Sequence, residues 1–183
     1  MLSLILFAFA IILEILFALG FSIYTISLIY SNLKGSPYVP TRNKEVDIIL
    51  GGANLRKNML FIELGCGDAR ISRRAALHYK VKAVAIDINP LLIWIARIWA
   101  KVQKIPNITF KVENILQSDV SHVDVVYLFL MPKLIQKLEK IFVKKLQPNA
   151  TVISHGFKME SKTFKLIKKI DRRPFPTYYY KRS

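Results

Sequence analysis

The sequence contains one cysteine, Cys66, and three histidines in 183 residues. A single thiol excludes an internal disulfide and any metal site built from several cysteines. The histidine spacing does not indicate a metal site either, so we expect no bound metal. Cys66 lies between two glycines of a turn, where a small side chain fits, and we do not expect it to act as a catalytic thiol.

Acidic residues are also scarce: 12 Asp and Glu stand against 28 Lys and Arg, which gives a formal net charge of +16. Such an excess suits an anionic membrane surface or a nucleic acid, or it reflects a lysine-rich composition that keeps the surface soluble. An apolar segment next to the basic part favours the membrane surface. Within residues 1–33 the one charged side chain is Glu14, which either contacts another membrane helix or is tolerated as a neutral acid.

The first thirty residues are apolar almost throughout. About 20 apolar residues span a bilayer, so the segment is long enough to cross a membrane. A cleaved signal peptide is the alternative, but the positive n-region is missing and the apolar run is too long. We predict an uncleaved anchor over residues 1–33 and one domain over 34–183. The first basic residues all follow the anchor, which predicts a single-pass protein with its domain on the cytoplasmic side: Lys34, Arg42 and Lys44.

Beyond a Gly- and Pro-containing linker, short apolar runs alternate with helical periods. Helices are predicted over residues 41–54 (capped by Thr41), 69–79, 90–102 and 132–146. Strands are predicted over 59–63, 82–87, 108–112, 123–130 and 150–155, the fourth of them central, followed by a hairpin of 164–170 and 177–181. This pattern predicts an α/β fold: a Rossmann-like, doubly wound, mostly parallel sheet with an antiparallel C-terminal hairpin.

The most informative stretch is FIELGCGDAR, residues 61–70. An apolar strand ends in Glu63, and a turn with Gly65 and Gly67 leads into a helix, where backbone N–H groups and the helix dipole favour an anionic ligand. A second apolar run ends in Asp87, the position of a ribose-binding carboxylate in nucleotide-binding α/β folds. The two features predict an adenosine-containing cofactor.

The details favour S-adenosyl-L-methionine over a nicotinamide dinucleotide. The third glycine of G-x-G-x-x-G is replaced by Arg70, and Glu63 suits an ammonium group rather than a pyrophosphate. The N–H groups of residues 65–69 suit the carboxylate of the cofactor, and Asp87 suits its ribose. Asn114, after the third strand, is placed to bind the adenine edge, with Glu113 as the alternative.

The pattern E-x-G-x-G-D-x-R, with Asp87 and the closing hairpin, resembles motif I and the strand order of the seven-β-strand class I methyltransferases over about residues 37–183. PYVPTRNKEVDIIL resembles the PFVPT segment of membrane-anchored protein-lysine methyltransferases, which include the enzymes acting on the c-type subunit of ATP synthase and on the adenine nucleotide translocase. The chain departs from the family at Ala69, where glycine is usual, and at Asn114, where aspartate is commoner.

This resemblance implies an S-adenosylmethionine-dependent methyltransferase that modifies a lysine of a protein in or near the membrane. In the family the PFVPT segment folds over the cofactor, which adds Tyr38, Pro40 and Thr41 to the cofactor side. The predicted cofactor site comprises Tyr38, Thr41, Glu63, Gly65, Cys66, Gly67, Asp68, Arg70, Asp87, Ile88 and Asn114.

Methylation of a neutral, buried lysine amine requires no strong base. The one candidate base is His155, at the end of the fifth strand, and the alternative is a hydrogen-bonded rim residue. We predict that Phe157, Tyr178 and Tyr179 line a substrate channel, or that the two tyrosines instead pack along an edge strand. Two other functions stay open: an RNA methyltransferase, although the fourth strand lacks an Asp/Asn-Pro-Pro-aromatic ending, and a membrane-tethered cofactor-binding module without catalysis.

Overall fold

The computed structural model describes residues 1–34 and 36–182. The helices are α1 (Leu2–Leu33), α2 (Asn43–Gly51), α3 (Arg70–Tyr79), α4 (Pro90–Val102) and α5 (Pro132–Lys145). The strands are β1 (Leu60–Leu64), β2 (Lys82–Asp87), β3 (Ile108–Val112), β4 (Val125–Leu128), β5 (Thr151–His155), β6 (Phe164–Ile170) and β7 (Thr177–Arg182). Gly35 and Ser183, at or near the bounds of the predicted domain, lie outside the described residues, and the division at residue 33 stays a prediction.

The strands form one seven-stranded sheet in the order β3-β2-β1-β4-β5-β7-β6. The first five strands are parallel to one another, and β7 pairs antiparallel with both β5 and β6. The predicted fold class and the central position of β4 are therefore confirmed.

The prediction that the tyrosines of the hairpin lie on an edge strand is wrong. β7 inserts between β5 and β6, and Tyr179 and Tyr180 on it are buried. β6 forms the edge instead, since five of its seven residues are exposed and three of those are lysines. Lysines on an edge strand oppose pairing with another chain, so the charged strand suits the outer position.

Helices cover both faces of the sheet. On one face α5 packs Ile135, Leu138 and Phe142 against the central strands. On the other face the apolar residues of α2 and α3 pack against alternate residues of the same strands, including Phe61 and Val125. Full burial of a large aliphatic or aromatic side chain contributes about 1.5–3 kcal/mol, so the two layers fix the strand ends that carry the site.

The N-terminal helix α1 has 32 residues and a mean hydropathy of 2.8 in its most apolar window, none of which is buried in the protein. It is long and apolar enough to cross a membrane. At 1.5 Å per residue it measures about 48 Å, whereas the hydrocarbon core of a bilayer is about 30 Å thick. The helix therefore has length to spare beyond the bilayer.

Candidate active site

A cavity of about 230 Å³ lies at the carboxyl ends of β1, β2 and β4. All eleven residues of the predicted cofactor site line it: Tyr38, Thr41, Glu63, Gly65, Cys66, Gly67, Asp68, Arg70, Asp87, Ile88 and Asn114. They come together because parallel strands end at the same edge of a sheet, where α/β folds bind their ligands. Further lining residues, which the sequence reasoning did not find, include Ser31, Lys34, Tyr127, Phe129 and Leu130.

The turn after β1 has no room for side chains at its two glycines. Gly65 and Gly67 have φ angles of 76° and 54°, which glycine adopts without strain. A Cβ atom on Gly67 would lie 2.5 Å from the Tyr38 ring, and one on Gly65 would lie 2.7 Å from Leu130. The backbone of this turn therefore packs directly against the residues that enclose the cavity.

Most N–H groups of this turn have acceptors within the protein, which differs from the sequence-based expectation. The N–H groups of Gly65 and Cys66 both donate to the Ile86 carbonyl, at 2.8 and 2.9 Å. The Gly67 N–H donates to Asp87, and the Ala69 N–H donates to the Cys66 carbonyl at 2.7 Å. These bonds shape the turn, and among the described residues the Asp68 N–H is the one in the stretch left without an internal acceptor.

Glu63 is buried at the end of β1. Its Oε2 atom accepts hydrogen bonds from the backbone N–H and the hydroxyl of Ser72, at 2.9 and 2.6 Å, and so holds the first turn of α3. Burial raises the pKa of the Glu63 carboxyl to about 8, although both bonds from Ser72 favour the charged form. This acid is therefore mostly protonated at neutral pH, although the charge of Arg73 favours the ionised form.

Asp87, at the end of β2, receives two backbone hydrogen bonds. Its Oδ2 atom accepts from the Gly67 N–H at 2.7 Å and its Oδ1 atom accepts from the Asn89 N–H at 2.9 Å. Burial raises the pKa of this carboxyl, whereas the nearby backbone N–H groups of Asn89, Gly67 and Ile88 lower it. A carboxylate oxygen has more than one acceptor site, so each oxygen can still accept from a ligand hydroxyl.

Asn114 lines the cavity from the loop after β3. Its Oδ1 atom accepts from the Leu116 N–H at 3.0 Å, which fixes the loop and orients the side-chain amide. Glu113, the alternative adenine-binding residue, is not among the residues that line the cavity.

Arg70 links the turn to the PYVPT segment (residues 37–41). Its guanidinium makes a two-point ion pair with Asp68, at 3.0 and 2.9 Å, and donates to the Thr41 carbonyl at 2.7 Å. The Tyr38 ring lies over Gly67, and burial raises the pKa of its phenol to about 12. The segment therefore covers the glycine-rich turn.

Thr41 does not cap α2, contrary to the sequence-based prediction. The helix begins at Asn43, and the N-cap position is Arg42, whose backbone is extended and whose side chain makes no capping bond. The Thr41 carbonyl accepts from Arg70 instead, so the residue belongs to the covering segment and not to the helix.

Tyr127 is the most notable residue that the sequence reasoning missed. It pairs with Glu63 across β1 and β4, and its side chain is buried with 2% exposed. Its hydroxyl group makes no well-formed hydrogen bond among the described residues. Burial raises its pKa well above the ordinary value, and the nearby Thr41 side chain lowers it. A buried polar group without a partner is rare and calls for a ligand or water at that position. In the sequence, the signal for this residue is that it carries the one hydroxyl group in the apolar run VVYLFL.

His155 lies outside the residues that line the cavity. Its Nδ1 atom is 2.9 Å from the Thr177 hydroxyl, and its ring packs edge-on against Phe129 with centroids 4.6 Å apart. Burial lowers the pKa of the imidazole to about 4, so the side chain is neutral at pH 7. A role for His155 as a base stays a prediction.

The proposed channel residues Phe157, Tyr178 and Tyr179 do not line the cavity either. The Tyr179 hydroxyl donates to the Ile49 carbonyl at 2.8 Å and thereby connects β7 to α2.

Burial of Cys66, together with the acids Glu63 and Asp87 nearby, raises the pKa of its thiol well above the ordinary value, so this group is protonated.

A seven-stranded sheet of this order, closed by an antiparallel hairpin and carrying a glycine-rich turn at its carboxyl edge, is the architecture of class I methyltransferases. The chain is an S-adenosylmethionine-dependent methyltransferase of that class. A family model described as the ANTKMT methyltransferase domain matches residues 63–165, and the chain belongs to this family.

Two curated proteins and one solved structure illustrate its relatives. The chain is 33% identical to a protein-lysine N-methyltransferase of Saccharolobus islandicus (strain REY15A), over 74% of this chain and 85% of that protein. It is 31% identical to the Xenopus laevis lysine N-methyltransferase of the c-type subunit of ATP synthase, over 66% of this chain and 53% of that protein. It also resembles an RNA methyltransferase from Salinibacter ruber in complex with S-adenosyl-L-homocysteine, with a TM-score of 0.74, 32% identity, and 78% and 93% of the two chains covered.

Proposed function

We propose that the cavity at the carboxyl ends of β1, β2 and β4 is the S-adenosylmethionine site of this enzyme. Two observations support the fit. Gly65 and Gly67 have no Cβ atoms, which lets Leu130 and Tyr38 close the cavity directly over the turn. The Tyr127 hydroxyl makes no well-formed hydrogen bond within the described residues. Asp87 would bind the ribose hydroxyls, Glu63 the ammonium group, and the amide of Asn114 the adenine.

The bound cofactor supplies an electrophilic methyl group on a sulfonium. The protein positions the acceptor amine in line with the methyl carbon, and such alignment contributes about 7–11 kcal/mol to lowering a barrier. The residues after β4 that line the cavity, Phe129 and Leu130, are apolar. Apolar surroundings disfavour the charged form of an amine and so lower its pKa, which provides the neutral nucleophile without a strong base.

We propose a protein lysine as the methyl acceptor. The observation that carries this proposal is the apolar sequence Phe129-Leu130-Met131-Pro132 after β4, which offers no Asp or Asn side chain to hold the exocyclic amine of a nucleobase. The protein-lysine methyltransferases of Saccharolobus and Xenopus among the relatives support it.

We further propose that the substrate lies in or near a membrane. Support comes from α1, which is long and apolar enough to span a bilayer, and from the basic residues that follow it. By the positive-inside rule, we expect the domain of residues 34–183 on the cytoplasmic side of a single-pass protein.

RNA is the second candidate substrate, since the net charge is +16 and one relative is described as an RNA methyltransferase. The test incubates the full chain and methyl-labelled S-adenosylmethionine with membranes, soluble protein and total RNA, each taken separately from the same cells. We expect label in membrane protein, recovered as methyl-lysine after hydrolysis, and much less of it with Asp87→Ala. Label in RNA alone would replace the lysine proposal with the RNA alternative. Methyl-lysine in soluble protein and not in membrane protein would overturn the membrane part.

A further inference from the structure

The end of the apolar helix α1 makes hydrogen bonds to the methyltransferase fold at one residue, Asn89. The Ser27 hydroxyl donates to Asn89 Oδ1 at 2.8 Å. The Asn89 side-chain amide donates to the Ser27 carbonyl at 2.9 Å and to the Ser31 hydroxyl at 2.7 Å. Ser31 is the one buried residue of α1, with 7% exposed. The bond to Ser31 is buried and the two bonds to Ser27 are partly buried, unlike the contacts of a flexible tether.

Asn89 is itself part of the structure that holds Asp87. Its Oδ1 atom caps α4 by accepting from the N–H groups of Leu91 and Leu92. Its own backbone N–H donates to Asp87 Oδ1 at 2.9 Å, and Asp87 Oδ2 in turn accepts from Gly67. A continuous series of hydrogen bonds therefore runs from α1 through Asn89 to the carboxylate and the glycine-rich turn.

The same end of α1 also contributes directly to the cavity. Ser31 and Lys34 line it together with the PYVPT segment and Asp87. Because α1 is longer than a bilayer is thick, its last turns can lie against the domain while its other turns span the membrane.

We propose that Ser27 and Ser31 are positioning residues for the cofactor: the seating of the membrane helix on Asn89 holds Asp87 in its binding orientation. The proposal rests on the assignment of Asp87 to the cofactor site. Removing both hydroxyls leaves a buried donor of Asn89 without its acceptor, and a buried unsatisfied polar group is costly. The loop of residues 87–89 then relieves that cost by moving, and Asp87 moves with it.

The test measures S-adenosylmethionine affinity by calorimetry on the full chain in lipid nanodiscs. Ser27→Ala with Ser31→Ala should weaken binding about 3- to 30-fold, the effect of one to two hydrogen bonds. The matched control is Ser22→Ala with Thr25→Ala, whose hydroxyls bond to carbonyls of α1 itself. The control should bind as the unaltered chain does.

Asn89→Ser provides a second, independent variant. Serine caps a helix as well as asparagine does and keeps the backbone N–H that donates to Asp87, but it is too short to reach α1. We expect a loss of affinity at least as large, since the bond from the Asn89 amide to the Ser27 carbonyl is lost as well. When Asn89→Ser is combined with the two α1 substitutions, the loss should be smaller than the sum of the separate losses, because both variants disrupt one connection. The KM for cofactor should rise while kcat and the KM for protein substrate stay unchanged.

An affinity of the Ser27→Ala, Ser31→Ala variant within about twofold of the unaltered chain would overturn the inference, as would an equal loss in the Ser22→Ala, Thr25→Ala control or additive effects with Asn89→Ser. Asp87→Ala distinguishes a failure of the inference about the helix from a failure of the proposed cofactor site. If it weakens binding and the α1 substitutions do not, the inference about the helix fails alone. If Asp87→Ala has no effect, the proposed cofactor site itself is wrong.

Discussion

The backbone N–H of Gly67 donates a hydrogen bond of 2.7 Å to the Oδ2 atom of Asp87, twenty residues further along the chain. The bond connects the turn after β1 to the end of β2, so one carboxylate shapes the glycine-rich turn and faces the cavity. Internal hydrogen bonds therefore organise the proposed cofactor site.

Replacing Asp87 should weaken cofactor binding. Asp87→Ala removes the proposed ribose acceptor, and a hydrogen bond to a charged group contributes about 1.5–3 kcal/mol, or about 10- to 100-fold in affinity. Calorimetry with S-adenosylmethionine measures the loss. Asp47→Ala is the control, because it changes the net charge equally but removes an exposed ion pair with Arg74. Equal affinities of the two variants would contradict the prediction.

A side chain at Gly67 should disturb both the turn and its cover. Alanine at φ 54° is strained by about 1–2 kcal/mol, and its Cβ would meet the Tyr38 ring at 2.5 Å. We expect Gly67→Ala to lower the free energy of unfolding, measured by urea denaturation, and to weaken cofactor binding. Gly51→Ala is the control, since its Cβ would meet no atom closer than 3.9 Å. A stable Gly67→Ala variant with unchanged affinity would show that Tyr38 does not cover this turn.

Cofactor affinity should rise with pH between about 6 and 7.5. In this range the α-amino group of the cofactor is mostly protonated, because the usual pKa of such a group is about 7.7–8.0. In the free protein the pKa of Glu63 is about 8, and an ammonium group beside it favours the ionised form. Binding then releases a proton, so affinity falls as the pH falls, by up to about tenfold per unit. Calorimetry in two buffers of different ionisation enthalpy measures the number of protons released on binding.

Glu63→Gln is the control for this linkage. The variant has no carboxyl to titrate, so its affinity should be lower and independent of pH over the same range. If the unaltered chain and Glu63→Gln gave parallel pH profiles, Glu63 would not be the group that receives the ammonium.

Removing the Tyr127 hydroxyl should impair cofactor binding or turnover without destabilising the fold. This group has no partner among the described residues, so Tyr127→Phe should leave the free energy of unfolding unchanged or raise it by about 1–3 kcal/mol. Cofactor affinity or turnover should fall if the bound ligand supplies the partner. Tyr179→Phe should instead lower the free energy of unfolding and leave cofactor affinity unchanged, because its hydroxyl donates to the Ile49 carbonyl. A Tyr127→Phe variant that is destabilised yet fully active would contradict this assignment.

Much of the site could be predicted because its information is local. Residues 61–70 contain a strand, a turn and a helix start in one stretch, and the periodic apolar runs determine that β1 and β2 end at the same edge. Asp87 and Asn114 then follow from the strand ends on which they lie. All eleven predicted residues consequently line one cavity.

The features that were missed depend on contacts between distant parts of the chain. No local pattern states that β7 inserts beside β5, and for that reason Tyr179 looked like an edge residue although it is buried. The bond from Arg70 to the Thr41 carbonyl, which removes Thr41 from the helix, joins residues 29 positions apart. The contact between Ser27 and Asn89 spans 62 positions, and the sequence shows only that asparagine precedes a helix-starting proline.

The most direct test of the proposed site is a crystal structure of the chain with S-adenosyl-L-homocysteine. We expect the nucleoside in the cavity at the carboxyl edge of the sheet, with its ribose hydroxyls on Asp87, its amino group at Glu63, and the Tyr38 segment covering the glycine-rich turn. A ligand bound elsewhere, or a ribose that makes no contact with Asp87, would contradict it.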